Sequence, residues 1–228
     1  AHLPFMAAAI VCAKTNSGAK TCLILPDFPE FMGEGGALYR AVKWFESRLF
    51  YFLARRIDFF VVLTPFMADR LGIDKSRFCV IEGMAYVDEN RIASSALFPA
   101  GPNRIFLYTG TLAERYGIRD LLVAFSLEND NVELWICGDG DSRSAVERLA
   151  AQDRRITYYG QVSRLRAVEL QQQAHVLVNP RSPNGEYTKY SFPSKTIEYL
   201  AAGRPILMHP LPGMPSDYMP YFIAPDTA

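Results

Sequence analysis

Neither sign of charge is in excess in this chain. Lys plus Arg number 24 and Asp plus Glu number 24 over 228 residues. That balance argues against a nucleic-acid binder held mainly by counterion release. Cysteine is thin: Cys12, Cys22, Cys79 and Cys137 stand far apart, each in an apolar run. The scatter fits reduced, buried thiols in a cytosolic protein better than a disulfide framework or a zinc site. No signal peptide is recognisable, and no apolar run is long enough to span a bilayer. Internal repeats and low-complexity tracts are lacking too. Neither His2 nor His175 has a sequence partner that implies catalysis or a metal.

What is present is an alternation of short apolar runs with amphipathic stretches. The runs predict strands at Thr21–Leu25, Phe59–Leu63, Phe78–Ile81, Arg104–Tyr108, Val132–Cys137, Ile156–Tyr159, Val176–Asn179 and Pro205–Met208. Helical periodicity predicts helices at Pro4–Lys14, Leu38–Arg56, Phe66–Leu71, Ile118–Phe125, Ser142–Gln152, Leu165–Gln173 and Lys195–Ala202. Continuously apolar strands suit a parallel sheet covered on both faces, and the alternation indicates a doubly wound α/β architecture. Ile92–Asn103, with small residues, two prolines and no period, reads as an interdomain linker. The expected division is residues 1–95, a linker at 96–103, and residues 104–228. The start at Ala1 and the strand-like exit at Phe222–Asp226 suggest a piece cut from a longer protein at both ends.

The most informative segment runs from Tyr187 to Leu207. It predicts a loop broken at Pro193, a helix capped by Ser194, a stop at Gly203 and a buried strand after Pro205. A helix start gathers unpaired N–H groups and the positive dipole end, which attract phosphate. Glu198 lies on the same face as Ser194, about 6 Å further along the axis. That offset suits a diphosphate at the helix tip and a ribose whose hydroxyls meet the Glu198 carboxylate. A plain cap with a solvated Glu is the bland alternative. Arg181, Lys189 and Lys195 nearby favour anion binding.

Ligands of open α/β sheets sit at the carboxyl ends of strands, so residues that follow strands are the other candidates. Gly110-Thr111 follows one and would let a ligand approach the backbone closely. Gly138-Asp139-Gly140-Asp141 follows another, and is read as a tight turn with Asp141 capping the next helix. It is not a GxGxxG fingerprint, which leaves a dinucleotide oxidoreductase poorly supported. Arg181 can fork across phosphate oxygens, with Lys195 adding a point charge and Arg115 and Lys189 in reserve. Asp27, between Pro26 and Pro29, could act on an acceptor hydroxyl, or simply form a turn. Glu30 and Glu34 are weaker competitors. The basic, aromatic-rich helix at Leu38–Arg56 either lies on an anionic membrane surface or packs its aromatics on the sheet.

These residues resemble retaining family-4 glycosyltransferases of the GT-B architecture (glycosyl transferase group 1), especially bacterial members that build surface polysaccharides. The resemblance runs from Leu25-Pro26-Asp27-Phe28-Pro29-Glu30 to Gly203-Arg204-Pro205-Ile206-Leu207. It is most specific where Ser191-Phe192-Pro193-Ser194-Lys195 through Glu198 occupies the family's Glu-x7-Glu region. It implies two Rossmann-like domains around a cleft, the first incomplete here. It also implies that Glu198 binds the donor ribose, that Phe192 is a donor contact and that the Val162 backbone meets the base. Two departures stand out. Tyr190 replaces the first Glu, and Gly110-Thr111-Leu112…Tyr116-Gly117 lacks the two basic residues usual in the phosphate-binding run. Arg181 and Lys195 are expected to hold the diphosphate instead.

The expected function is transfer of a hexosyl group from a UDP- or GDP-type sugar to a saccharide or lipid-linked acceptor, with retention. No metal or other cofactor is expected, and no nucleic-acid partner. The setting would be cytoplasmic, with peripheral contact at the inner face of a membrane as an option. A nucleotide-sugar epimerase of the same fold and a non-catalytic nucleotide-binding remnant are the alternatives. The chain alone is expected to show weak or absent transfer.

Overall fold

The structure is a computed structural model that describes residues 3–16, 18–33, 35–85, 102–128 and 131–225. Most of the expected linker, together with Glu34 and His2, lies outside the described residues. By its internal contacts the chain divides into two units. Unit 1 holds Ala1–Gly83 with Gly185–Phe192; unit 2 holds Met84–Asn184 with Pro193–Ala228.

Unit 1 runs α1 (Leu3–Thr15), β1 (Cys22–Leu25), α2 (Ala37–Ala54), β2 (Phe59–Val62), α3 (Pro65–Leu71) and β3 (Phe78–Val80). The strands pair in parallel in the order β1-β2-β3, with Cys22 opposite Phe59 and Phe60 opposite Phe78. Leu25, Phe28, Phe50, Phe60, Val62 and Met67 form its core. Pro65 opens α3 and Gly72 closes it at φ 64°, punctuation the sequence contains. Along α2 only Phe50 and Ala54 are buried. Trp44 is 62% exposed and Phe45 65%, so these two do not pack on the sheet.

The cysteines depart from expectation. Cys137 is buried, whereas Cys12, Cys22 and Cys79 are exposed. An apolar run in a strand or helix has two faces, and these three thiols take the outer one.

The segment Gly185–Phe192 also reads differently in three dimensions. The sequence division assigns it to the second domain, yet its side chains pack in unit 1. Tyr190 stacks on Phe31 at 5.5 Å and meets the edge of Phe28 at 5.6 Å. Thr64 Oγ1 donates to the Lys189 carbonyl at 2.8 Å. Arg70 ties the segment down, donating to Tyr190 Oη and Glu186 Oε1 at 3.2 Å each. The same guanidinium reaches Tyr51 Oη at 2.9 Å and Glu30 Oε1 at 3.1 Å. Glu30 is thus held by Arg70 and by Tyr51, whose hydroxyl donates to it at 2.6 Å.

Unit 2 runs β4 (Arg104–Thr109), α4 (Ile118–Ser126), β5 (Val132–Cys137), α5 (Arg143–Gln152), β6 (Ile156–Tyr158), α6 (Arg164–Gln173), β7 (Val176–Asn179), α7 (Ser194–Ala202), β8 (Ile206–Met208) and β9 (Phe222–Ile223). Its six-stranded sheet is parallel, in the order β6-β5-β4-β7-β8-β9. The chain enters at β4, steps outward through β5 and β6, then returns to the other side of β4 with β7. Strand order therefore reverses between β4 and β7, the switch point where open sheets leave a crevice. Leu134, Ile136, Ile118, Leu122, Phe125 and Val146 fill one side of the sheet. The expected strands and helices are all found among the described residues, with ends shifted by a residue or two.

Replacing Arg70 with Ala should leave Glu30 without its cation and release residues 185–192. The loss should be roughly 1–2 kcal/mol in urea denaturation, since Arg70 is partly exposed. Amide exchange at Thr188 and Tyr190 should accelerate well beyond that of the β4 amides.

Candidate functional site

The carboxyl edge of unit 2 is built by loops that touch through backbone. Gly138, just after β5, has φ 141°, and a Cβ there would overlap the Gly110 carbonyl oxygen. Gly117, at φ 79°, would drive its Cβ into the Pro180 carbonyl. The loop after β4 is thereby pressed against those after β5 and β7. Hydrogen bonds fix the arrangement. Gly110 N donates to the Cys137 carbonyl at 3.0 Å, Leu112 N to the Asp139 carbonyl at 2.9 Å, and Gly138 N to the Gly160 carbonyl at 2.9 Å.

Helix α7 is bolted to the same edge by side chains that the sequence reading missed. Tyr199 is fully enclosed, and its hydroxyl accepts from Thr109 N at 2.9 Å. Gln171 Nε2 donates to Thr109 Oγ1 at 3.2 Å. Three residues before Tyr199, Thr196 Oγ1 accepts from Asn179 Nδ2 at 3.4 Å. The signal lay in the i, i+3 spacing of Thr196 and Tyr199, which puts both on the face turned to the sheet. A buried tyrosine hydroxyl needs a partner, and here the partner is the end of β4.

With that face buried, Lys195 and Glu198 sit on the partly exposed side of α7. Lys195 Nζ donates to Glu198 Oε2 at 2.8 Å, so the two expected donor contacts hold one another. Glu198 is 28% exposed at its side chain and does not extend into open solvent. Burial pushes the Cys137 thiol up to about 11, while the positive charges of Arg166 and Lys195 pull the other way. Lys195 is thus within electrostatic reach of the end of β5. Burial likewise raises Tyr199 to about 12, with the Glu198 charge adding to the rise.

Two expectations about caps are corrected. Pro193, not Ser194, is the N-cap of α7; Ser194 is the first helical residue and makes no capping bond. Pro193 is held at φ −66° and ψ 113°, the extended geometry of an N-cap, and its carbonyl accepts from Thr196 N at 2.9 Å. Asp141 does not cap α5, whose N-cap is Ser142. Its Oδ1 instead accepts from Glu114 N at 3.1 Å, another tie between the loops after β4 and β5. Gly203, at φ 66°, ends α7 as expected.

Arg181 follows β7 at the switch point and is 9% exposed, with its guanidinium 5.2 Å from the centre of the Tyr116 ring. Tyr116 belongs to the loop after β4, so the pair spans the point where strand order reverses. Its ring was not among the expected contacts. Gly110 is half-buried, Thr111 exposed, and Val162 half-buried after Gly160. Gly110, Thr111, Val162, Arg181, Ser194, Lys195 and Glu198 all belong to unit 2 and follow its strands or open α7. Phe192 is buried and Asp27 exposed; both belong to unit 1, Asp27 two residues past the end of β1. Tyr190, expected to stand in place of a motif Glu, is also a unit 1 residue. Among the described residues no three His, Cys, Asp or Glu side chains cluster as metal ligands. His175 serves the backbone: its Nδ1 accepts from Ile105 N at 3.0 Å.

A family model described as glycosyl transferases group 1 matches residues 103–227, more than half of the chain. The chain belongs to that family. No curated protein matches it in sequence. Among solved structures it is similar to a lipopolysaccharide outer core galactosyltransferase, WaaB, in its apo form, at TM-score 0.58 and 16% identity. The match covers 95% of this chain and 62% of that one. It is also similar to HepE from Anabaena in complex with UDP, at TM-score 0.61 and 14% identity, covering 92% of this chain and 58% of that one. A third is the sucrose-phosphate synthase of Thermosynechococcus elongatus, at TM-score 0.62 and 17% identity, covering 94% and 56%. The chain thus spans about three fifths of the length of the first two. The fold is α/β with parallel sheets, of the GT-B class.

Changing Tyr199 to Phe should remove the bond to Thr109 and cost about 1–2 kcal/mol. Tyr199 titrates near 12 in the folded state and near 10 when unfolded. Its contribution is therefore complete below pH 10 and lost as pH rises towards 12. In urea titrations across that window, the variant should lose stability less steeply than the parent, by about 1.4 kcal/mol per pH unit.

Proposed function

We propose that the protein transfers a hexosyl group from a nucleotide diphosphate sugar, of UDP or GDP type, to a saccharide or lipid-linked acceptor. Retention of configuration, a place in family 4 and a role in polysaccharide assembly belong to the same proposal. Its main support is Arg181 at the β4/β7 switch point, beside a helix whose half-buried face carries Lys195 and Glu198. The structural similarity to a protein crystallised with UDP agrees with that choice of donor.

In this reading the donor's diphosphate meets Arg181 and the first-turn N–H groups of α7 at Ser194 and Lys195. Gly110 and Thr111 give backbone access beneath it. The ribose hydroxyls donate to Glu198, exchanging that carboxylate's bond to Lys195 and turning the ammonium towards the phosphates. Val162 meets the base through its backbone, and Phe192 lies next to the α7 entrance in sequence. As the bond from the anomeric carbon to the diphosphate breaks, negative charge grows on the leaving group. Fixed N–H donors and a guanidinium stabilise that charge without reorganising. The acceptor oxygen forms the new bond, and Asp27 is assigned to receive a hydrogen bond or proton from its hydroxyl.

The proposed setting is cytoplasmic, with peripheral contact at the inner face of a membrane. The exposed Trp44, Phe45 and Phe52 beside Arg48 and Arg55 on α2 support that contact. Among the described residues no helix is long and apolar enough to cross a membrane.

Calorimetric titration with UDP, GDP and their sugars tests the donor site. The preferred nucleotide should lose roughly tenfold or more in affinity with Arg181→Ala or Glu198→Ala, the scale of a charge-assisted hydrogen bond. Affinity unchanged in both variants would refute the site. Binding without any transfer to saccharide or lipid acceptors would favour the non-catalytic alternative.

A further inference from the structure

We propose that unit 1 carries a separate anion pocket, suited to a phosphate or diphosphate ester with a ring or apolar substituent. A pocket of about 700 Å³ opens between the C-terminal parts of α2 and α3, a size typical of small-molecule sites. Arg48, Arg55, Arg70 and Arg77 line it with Tyr51 and Phe52, and no carboxylate is among its lining residues. Arg55 follows α2, Gly72 follows α3, and Arg77 precedes β3. The pocket therefore lies where α2 and α3 end and β2 and β3 begin. It does not depend on the donor site of unit 2.

Basic residues gather at helix C-termini to complement the dipole, and two of the four arginines are accounted for in structural ways. Arg77 donates to the carbonyls of Asp58, at 3.0 Å, and Ile57. Arg70 is matched by Glu30 and Glu186. Arg48 and Arg55 are not. Among the described residues neither forms an ion pair. They are seven positions apart, Arg48 in α2 and Arg55 as its helical C-cap, about 10 Å along the axis and on one face, and their long side chains can close on one anion from both sides. Arg48 lies 5.1 Å from the centre of the Trp44 ring. Guanidiniums fork phosphate oxygens, and the walls of Tyr51, Phe52 and Phe60 favour an ester over the bare ion.

Trp44 reports on the pocket. In a chain with Trp135→Phe, it is the one remaining tryptophan. Inorganic pyrophosphate should change its emission saturably as Arg48 leaves the ring for the anion. Arg55→Gln, at an exposed position, should weaken that response at least tenfold, while Arg181→Ala should leave it within twofold. No emission change, an unaltered affinity in Arg55→Gln, or a tenfold loss in Arg181→Ala would each overturn the proposal. Co-sedimentation with phosphatidylglycerol and phosphatidylcholine vesicles then separates the sources of the ester. Retention on phosphatidylglycerol that pyrophosphate displaces supports a lipid headgroup, and pyrophosphate binding without retention supports a soluble ester.

Discussion

The close approach of backbone to backbone where β4, β5 and β7 end is the constraint on which unit 2 depends. Gly138 can lie on Gly110, and Gly117 on Pro180, only because neither carries a Cβ. With the loops this close, the polar groups of the strand ends are taken up by one another and by α7. Tyr199 takes the Thr109 amide and Thr196 the Asn179 amide group, so the helix has one rotational setting. That setting turns Lys195 and Glu198 outward and leaves Arg181 at the reversal of strand order. The chemistry proposed for this edge is thus a consequence of glycine at two positions and of one buried tyrosine.

Much of this was legible in the amino acids. Strands buried on both faces need continuous apolar runs, so β4, β5 and β7 could be read from Arg104–Tyr108, Val132–Cys137 and Val176–Asn179. Gly203 marked the end of α7 because a helix closing in the left-handed region selects glycine. The start of the same helix was misassigned by one residue. Serine is the common cap, but Pro193 already has the extended backbone the position needs. The cysteines show the limit of reading apolar runs as burial, since Cys22 and Cys79 lie on the outward-facing positions of their strands.

Long-range packing was not legible. Nothing local says that Tyr190 will stack on Phe31, or that Arg70 will bind a segment more than a hundred residues later. The replacement of an expected Glu by Tyr190 becomes intelligible only with that packing in view. Within unit 1 a phenol ring completes an aromatic cluster around a guanidinium that Glu30 and Glu186 already pair. The pairing of Lys195 with Glu198 was equally hidden, although their i, i+3 spacing allows it. A ligand that engaged Glu198 as proposed would compete with an existing ion pair.

The central claim is that the carboxyl edge of unit 2 at the β4/β7 switch is where a nucleotide diphosphate binds. An amide-resolved NMR titration with UDP and GDP tests it most directly. The account predicts saturable shifts centred on Gly110, Thr111, Arg181, Ser194 and Lys195 for one of the two nucleotides. Shifts confined to other parts of the chain, with these amides unmoved at saturation, would contradict it.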